Sequence, residues 1–108
     1  MKKLFFGVLT ALAMAAGGTF AGTLDDVKAR GSLLCGVSTG APGFATVDDS
    51  GKDVGFDVDY CRALAAAVFG DPMAVKFVGL TSAVRFTALA AGEVDILARN
   101  TTWTYCLL

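Results

Sequence analysis

The chain has 108 residues, with nine lysines and arginines against ten aspartates and glutamates, and it contains no histidine. Without a basic excess the chain has no electrostatic footprint for nucleic acid. Without histidine it lacks the commonest metal ligand and the commonest general base at neutral pH, which argues against a metal site or an acid–base enzyme.

The first 21 residues have the pattern of a secretory signal peptide. Met1–Lys3 is basic, Leu4–Met14 is uncharged and apolar, and small residues continue to Ala21. This order of regions is typical of a signal that is removed after export. A retained membrane anchor is the alternative, since about 18 apolar residues can span a bilayer, but glycines interrupt the run. We therefore expect residues 22–108 to form the mature unit, located in the periplasm.

The mature part begins with a predicted helix and a predicted strand. Residues 23–31 combine early acidic residues, late basic residues and a terminal glycine, as in a short helix. Residues 32–38 form a compact apolar run, which is expected for a strand buried on both faces. Asp48–Gly51 is a tight-turn signal between two short extended pieces.

Residues 56–69 form the clearest predicted helix. Their apolar positions recur every three or four residues, and Gly70 can end the helix. Asp57 and Asp59 lie in the first turn, where the positive end of the helix dipole favours acidic residues. We interpret both as solvated residues of the helix start and not as a catalytic pair.

The remaining elements complete an alternating pattern. Residues 75–80 predict a second strand, a helix capped by Thr81 or Ser82 runs to Ala91, and residues 94–98 predict a third strand. Strands that alternate with helices across short connections indicate an α/β fold with a parallel-sheet core and flanking helices.

Ligands of such folds bind beyond the carboxyl ends of the strands. The segments after the first and third strands, residues 38–44 and 99–105, are therefore the candidate site.

Three cysteines leave the disulfide state open. Cys35 lies in the first predicted strand and Cys61 in the predicted helix 56–69, so a bridge between them is plausible in an exported chain. Such a bridge would stabilise the fold by roughly 3 to 4 kcal/mol in the chain-entropy model. Alternatively, both are small buried apolar residues. In either case we expect Cys106 to be a free thiol.

Several short motifs carry a resemblance that covers nearly all of residues 23–105. They are Gly36–Thr39, Asp49–Gly51, Gly55–Tyr60 with Arg62–Ala65, Arg85–Leu89, Gly92–Leu97 and Arg99–Thr104. Together they resemble the family 3 extracellular solute-binding proteins, which serve polar amino-acid uptake, and in particular its general L-amino-acid-binding branch. Tyr60 departs from the family pattern, which usually has an aliphatic residue or Phe there.

This resemblance implies a receptor with two lobes and a type II periplasmic-binding-protein-like fold. Residues 22–108 would be part of the first lobe. Such a receptor closes on an L-amino acid by a hinge motion and delivers it to the permease of an ATP-binding-cassette (ABC) transporter in the inner membrane. The resemblance implies no cofactor, no metal and no nucleic-acid partner.

The resemblance also implies which residues bind the ligand. Carried onto this chain, the family's positions are Ser38, Phe44, Arg99, Asn100 and Thr102. Each has an alternative interpretation: Phe44 can be a core residue under its loop, Ser38 can cap a turn, and Arg99 and Asn100 can form a solvated strand end.

The last residues depart from the family. In the family an arginine shortly after the third strand anchors the ligand carboxylate, as a bidentate guanidinium does well. Leu107 occupies the corresponding position here. We therefore expect an incomplete first lobe that binds amino acids weakly or not at all, with an exposed strand edge that favours aggregation.

Two other kinds of function are compatible with the fold. One is an enzyme of the dehydratase or cell-wall lyase type, and the other is a stand-alone periplasmic module. The chain contains no phosphate loop, zinc-ligand pattern or nucleophile elbow, so we expect no enzymatic activity.

Overall fold

The computed structural model describes residues 22–102. The predicted signal peptide and the positions of Cys106 and Leu107 lie outside these residues. The elements, in chain order, are α1 (Thr23–Arg30), β1 (Leu33–Ser38), β2 (Thr46–Val47), β3 (Asp53–Val54), α2 (Phe56–Phe69), β4 (Val75–Leu80), α3 (Arg85–Ala90) and β5 (Ile96–Leu97).

The strands β1, β4 and β5 form one parallel sheet. Its order is β4-β1-β5, so the first strand of the chain lies in the middle. Ser38 is opposite Leu80 on one side of β1, and Gly36 is opposite Leu97 on the other. The predicted α/β class with a parallel core is confirmed. The hairpin β2-β3 is a separate antiparallel pair.

Helices cover both faces of this sheet. α2 buries Val58, Cys61 and Ala65, which recur at three- and four-residue intervals along one side of the helix. Val58 and Cys61 pack against the face of β1 that carries Cys35 and Val37, and Ala45 and Ala98 complete that cluster. A second cluster consists of Leu80, Ala88 and Val94, with Val78 and Leu97 packed against it.

Cys35 and Cys61 face each other between β1 and α2. Both are fully buried, their sulfur atoms are joined, and their Cα atoms are 6.4 Å apart. This separation is within the range of ordinary disulfides. The bridge therefore connects the central strand to the helix that covers it.

Two predicted boundaries differ from the structure. α3 begins at Arg85, after a turn at residues 82–84, and its N-cap is Val84 without a side-chain cap. The Ser82 hydroxyl accepts a hydrogen bond from Arg99, so it serves another segment. The third strand is paired as a ladder only over Ile96–Leu97, although predicted over residues 94–98.

Asp95 connects α1, β1 and β5 at the amino end of the sheet. Its carboxylate accepts hydrogen bonds from Arg30 and from the backbone N–H of Leu34, the latter at 2.7 Å. The Asp95 N–H donates to the Leu34 carbonyl at 2.9 Å. One side chain therefore fixes the start of two neighbouring strands. Within residues 22–102, no helix is long and apolar enough to cross a bilayer.

Candidate functional site

Arg99 lies along the carboxyl edge of the sheet. Its guanidinium donates to the carbonyl of Leu80, the last residue of β4, and to the Ser82 hydroxyl at 3.1 Å. Leu80 is also the residue opposite Ser38 in the sheet, and Ser38 is half-buried at the end of β1. Ser38 and Arg99 therefore both neighbour Leu80 at the carboxyl edge, where ligands of such sheets bind.

The loop that carries Phe44 is attached to the start of α2. The N–H of Phe56 donates to the Gly43 carbonyl at 3.0 Å, and the N–H of Asp57 donates to the Phe44 carbonyl at 2.9 Å. These donors would otherwise be unpaired, because the first N–H groups of a helix have no partner within it. The Phe44 side chain remains 43% exposed, which disfavours its interpretation as a core residue.

Gly55 makes this attachment possible. Its φ is +128°, a conformation that side chains disfavour, and a Cβ atom at this position would lie 2.3 Å from the Phe44 carbonyl oxygen. Any other residue would collide with the loop backbone. The glycine that precedes α2 therefore controls where Phe44 is held.

Asp57 is not solvated, contrary to the interpretation of the sequence. It is only 8% exposed, and one of its carboxylate oxygens, Oδ2, is buried without a hydrogen-bond partner among residues 22–102. Burial raises the pKa of the Asp57 carboxyl, and the charge of Arg99 partly opposes that increase. Asp59 behaves as expected: it is exposed and pairs with Arg62 at 3.0 Å.

A groove of about 280 Å³ lies beside the end of β1. Ser38 is the predicted site residue that lines it. A groove of this size is near the lower limit for small-molecule sites. The other lining residues come from the end of β1, the hairpin and β4: Val37, Thr39, Thr46, Val47, Asp53, Phe77 and Gly79.

Asn100 and Thr102 continue the chain beyond β5, and both are exposed. They follow Arg99 at the same edge of the sheet. The five predicted site residues thus come from two segments, residues 38–44 at the end of β1 and residues 99–102 after β5, and both segments lie at the carboxyl ends of the strands. No cluster of potential metal ligands exists within the part of the chain that the structure describes.

Asp57 and Ser82 were not predicted as residues of this edge. Asp57 has a recognisable signal, because it precedes the buried residues Cys61 and Ala65 at intervals of four and therefore lies on the buried face of α2. Ser82 has no such signal, since its partner Arg99 is 17 residues away.

Comparison with known proteins agrees with this arrangement. Residues 33–105 match the model of the bacterial extracellular solute-binding proteins, family 3. The chain is 59% identical over 104 residues to the glutamate/glutamine/aspartate/asparagine-binding protein BztA of Rhodobacter capsulatus, covering 96% of this chain and 31% of that protein. It is 57% identical over 105 residues to the general L-amino acid-binding periplasmic protein AapJ of Rhizobium johnstonii, covering 95% and 31%.

A solved structure is also similar. It is an ABC transporter periplasmic binding protein from Brucella ovis with glutathione bound, with a TM-score of 0.73 and 65% sequence identity over 76% of this chain and 26% of that one. The chain thus spans about a third of the length of the curated relatives it matches. With most of its described residues inside the family match, the chain belongs to the bacterial extracellular solute-binding proteins, family 3.

Proposed function

We propose that this chain contributes part of an amino-acid-binding site to the periplasmic receptor of an ABC transporter. The observation that carries the proposal is the position of Ser38 and Arg99 on either side of Leu80 at the carboxyl edge of the sheet, where Ser38 lines an open groove. The names of its relatives, which bind amino acids, support the same class of ligand.

The chemistry of this edge suits a small zwitterion. Ser38, Asn100 and Thr102 offer hydroxyl and amide groups that can donate to a carboxylate or accept from an ammonium group. Phe44 offers an exposed aromatic surface on a loop that backbone hydrogen bonds hold in place. In this proposal the groove beside Ser38 receives the ligand side chain.

The proposal includes export by the segment 1–21, residence in the periplasm and delivery of the ligand to a permease in the inner membrane. Binding is reversible and involves no turnover, as the names of the relatives suggest. Residues 22–108 act as part of the first of two lobes.

Nuclear magnetic resonance of residues 22–108 tests the site. Millimolar L-glutamate or L-glutamine should move the backbone amide signals of Ser38, Phe44 and Asn100. Ser38→Ala should reduce these movements, whereas Ser32→Ala, at the opposite end of β1, should leave them unchanged. Shifts confined to residues away from the carboxyl edge would contradict the proposed site, and conversion of the amino acid into a product would favour an enzyme.

A chimera gives the stronger test. Residues 33–102 of this chain would replace the matching segment of the Rhodobacter capsulatus relative, which supplies the rest of a complete receptor. Calorimetry should then detect binding of L-glutamate, and Ser38→Ala in the chimera should weaken it. A folded chimera without binding would overturn the proposed function.

A further inference from the structure

One arginine contacts two residues that line the groove beside Ser38. Arg62 belongs to α2, and its side chain is 26% exposed. Its Nη2 donates to the Asp53 carbonyl at 2.9 Å. The central carbon of its guanidinium lies over the Phe77 ring, 5.6 Å from the ring centroid. Asp53 and Phe77 both line the groove, so a single side chain contacts the lining at two places.

The two elements that Arg62 contacts in this way belong to different sheets. Asp53 is in the hairpin β2-β3, and Phe77 is in β4, which pairs with β1. Within residues 22–102 no ladder of strand hydrogen bonds connects these two sheets. Strand pairing therefore leaves the distance between the hairpin and β4 open, and a side chain that binds both elements can fix it.

A guanidinium group suits this task because it binds two kinds of partner at once. Its N–H groups donate in the plane of the group, and its charge is attracted to the face of an aromatic ring. In Arg62 the donors reach the Asp53 carbonyl and, at 3.0 Å, the carboxylate of Asp59. The distance to the Phe77 centroid is within the limit of about 6 Å for a cation–π contact. The pair with Asp59 is exposed, whereas the other two contacts face the groove lining.

We propose that Arg62 is a positioning residue, which fixes the hairpin relative to β4 and thereby sets the width of the groove. It acts through the Asp53 carbonyl and the Phe77 ring. Its effect on ligand binding rests on the proposed function, in which the groove receives the ligand side chain. Its effect on the groove itself does not.

Nuclear magnetic resonance of the mature unit tests the effect on the groove without any ligand. Arg62→Met keeps much of the apolar stem of the side chain and removes both contacts. The carbonyl signal of Asp53, the ring signals of Phe77 and the amide signals of Thr46–Val47 should all move, because the hairpin is no longer held. Asp59→Asn is the matched control, since it removes only the exposed partner of Arg62, and it should leave these signals in place. Unchanged Thr46–Val47 signals in a folded Arg62→Met chain would overturn the proposal.

The parent chain itself covers the case in which Arg62→Met does not fold. Nuclear Overhauser contacts should connect the Arg62 side chain both to the Phe77 ring and to the Asp53 backbone. The ring current of Phe77 should also shift the Arg62 side-chain signals upfield. A folded parent chain that shows only one of these two contacts would overturn the proposal, because Arg62 would then not join the two elements.

The chimera with the Rhodobacter capsulatus relative tests the effect on binding. Arg62→Met should weaken L-glutamate binding about five-fold or more, the usual scale of coupling between linked sites. L-Aspartate is shorter by one methylene and reaches less far into the groove, so its affinity should fall less. Asp95→Ala is the control for a loss of stability alone, because Asp95 lies at the amino end of the sheet, and it should leave both affinities unchanged.

The outcomes separate this inference from the proposed function. Equal affinities of the Arg62→Met and parent chimeras would refute the positioning role in binding. Equal losses for the two amino acids would refute the width of the groove as its cause. Absence of binding in the parent chimera would refute the proposed function, and the resonance signals would still decide whether Arg62 fixes the groove.

Discussion

At the scale of single residues, Gly55 and Asp57 perform different tasks although they are separated by one residue. Gly55 has a backbone conformation and a close contact that exclude a side chain. Asp57 places a carboxyl in the protein interior, where desolvation is only partly offset by Arg99. Both act on the loop that carries Phe44, Gly55 through steric fit and Asp57 through its backbone N–H, which donates to the Phe44 carbonyl.

Replacing Gly55 with alanine should destabilise the chain. The substitution combines an unfavourable positive φ with a Cβ atom 2.3 Å from a backbone oxygen, and we expect a loss of about 2 kcal/mol or more in the free energy of unfolding. Urea denaturation measures this change. Gly40→Ala is the control, because nothing lies within 4 Å of its added Cβ. Equal stability of the two variants would show that the loop backbone can move aside.

Asp57 should make stability decrease as pH rises. Its folded-state pKa is raised, so between its ordinary value of about 4 and the higher folded value the folded state binds more protons than the unfolded state. Asp57→Asn should therefore flatten the pH dependence of the free energy of unfolding over this window. At neutral pH the variant should gain stability relative to the parent chain, compared with their difference at low pH. Urea denaturation between pH 3 and pH 8 checks this. A steeper dependence in the variant would contradict the raised pKa.

At the scale of secondary-structure elements, the bounds of helices and strands were predicted where the signals are local and missed where they depend on distant contacts. The predicted helix 56–69 and strand 75–80 coincide with α2 and β4, since glycine stops and regular apolar spacing lie within each segment. The predicted start of α3 was wrong because the Ser82 hydroxyl, expected to cap the helix, instead accepts a hydrogen bond from Arg99, which follows a different strand. Asp57 was misinterpreted for a related reason: dipole rules account for acidic residues at helix starts without considering what covers them.

Asp95 should contribute more to the free energy of unfolding than an ordinary surface ion pair does. It accepts from Arg30 and from the Leu34 N–H, and its side chain is 9% exposed. Asp95→Ala leaves a partly buried N–H unpaired, so we expect a loss of about 1 to 3 kcal/mol by thermal or urea denaturation. Asp59→Ala, which removes an exposed pair with Arg62, should cost less than about 0.5 kcal/mol. Similar losses in both variants would argue against a special role for Asp95.

At the scale of the whole molecule, one covalent link spans the two layers. The bridge between Cys35 and Cys61 joins the central strand to the covering helix, and we propose that it forms in the exported chain. Thiol alkylation of the unfolded, unreduced chain should then label Cys106 alone. Three labelled cysteines would show that the bridge is absent. Replacing Cys35 and Cys61 together by alanine should lower stability by roughly 3 to 4 kcal/mol.

The placement of the predicted site residues at one edge of the sheet, though not their role in binding, was predictable for the same topological reason that fixes the fold. Parallel strands end at one edge, so the segments after β1 and β5 had to lie at that edge, and Ser38 and Arg99 both neighbour Leu80 there. Which side chains pair across that edge depends on rotamers and burial that strand order does not specify. Ser82 therefore emerged only from the three-dimensional contacts, whereas Asp57 had a signal in its four-residue spacing from Cys61 on the buried face of α2.

The central position of β1 also constrains how this chain folds. Cys35 is paired with Phe77 on one side and with Ile96 on the other, so both neighbours of the earliest strand come from much later in the sequence. Chain segments of this length must close before any hydrogen bond of the parallel sheet forms, which makes folding slow compared with a helical protein of equal size. β1 gains its second neighbour only when the last strand is available, and a nascent chain that ends before Ile96 leaves it half-paired.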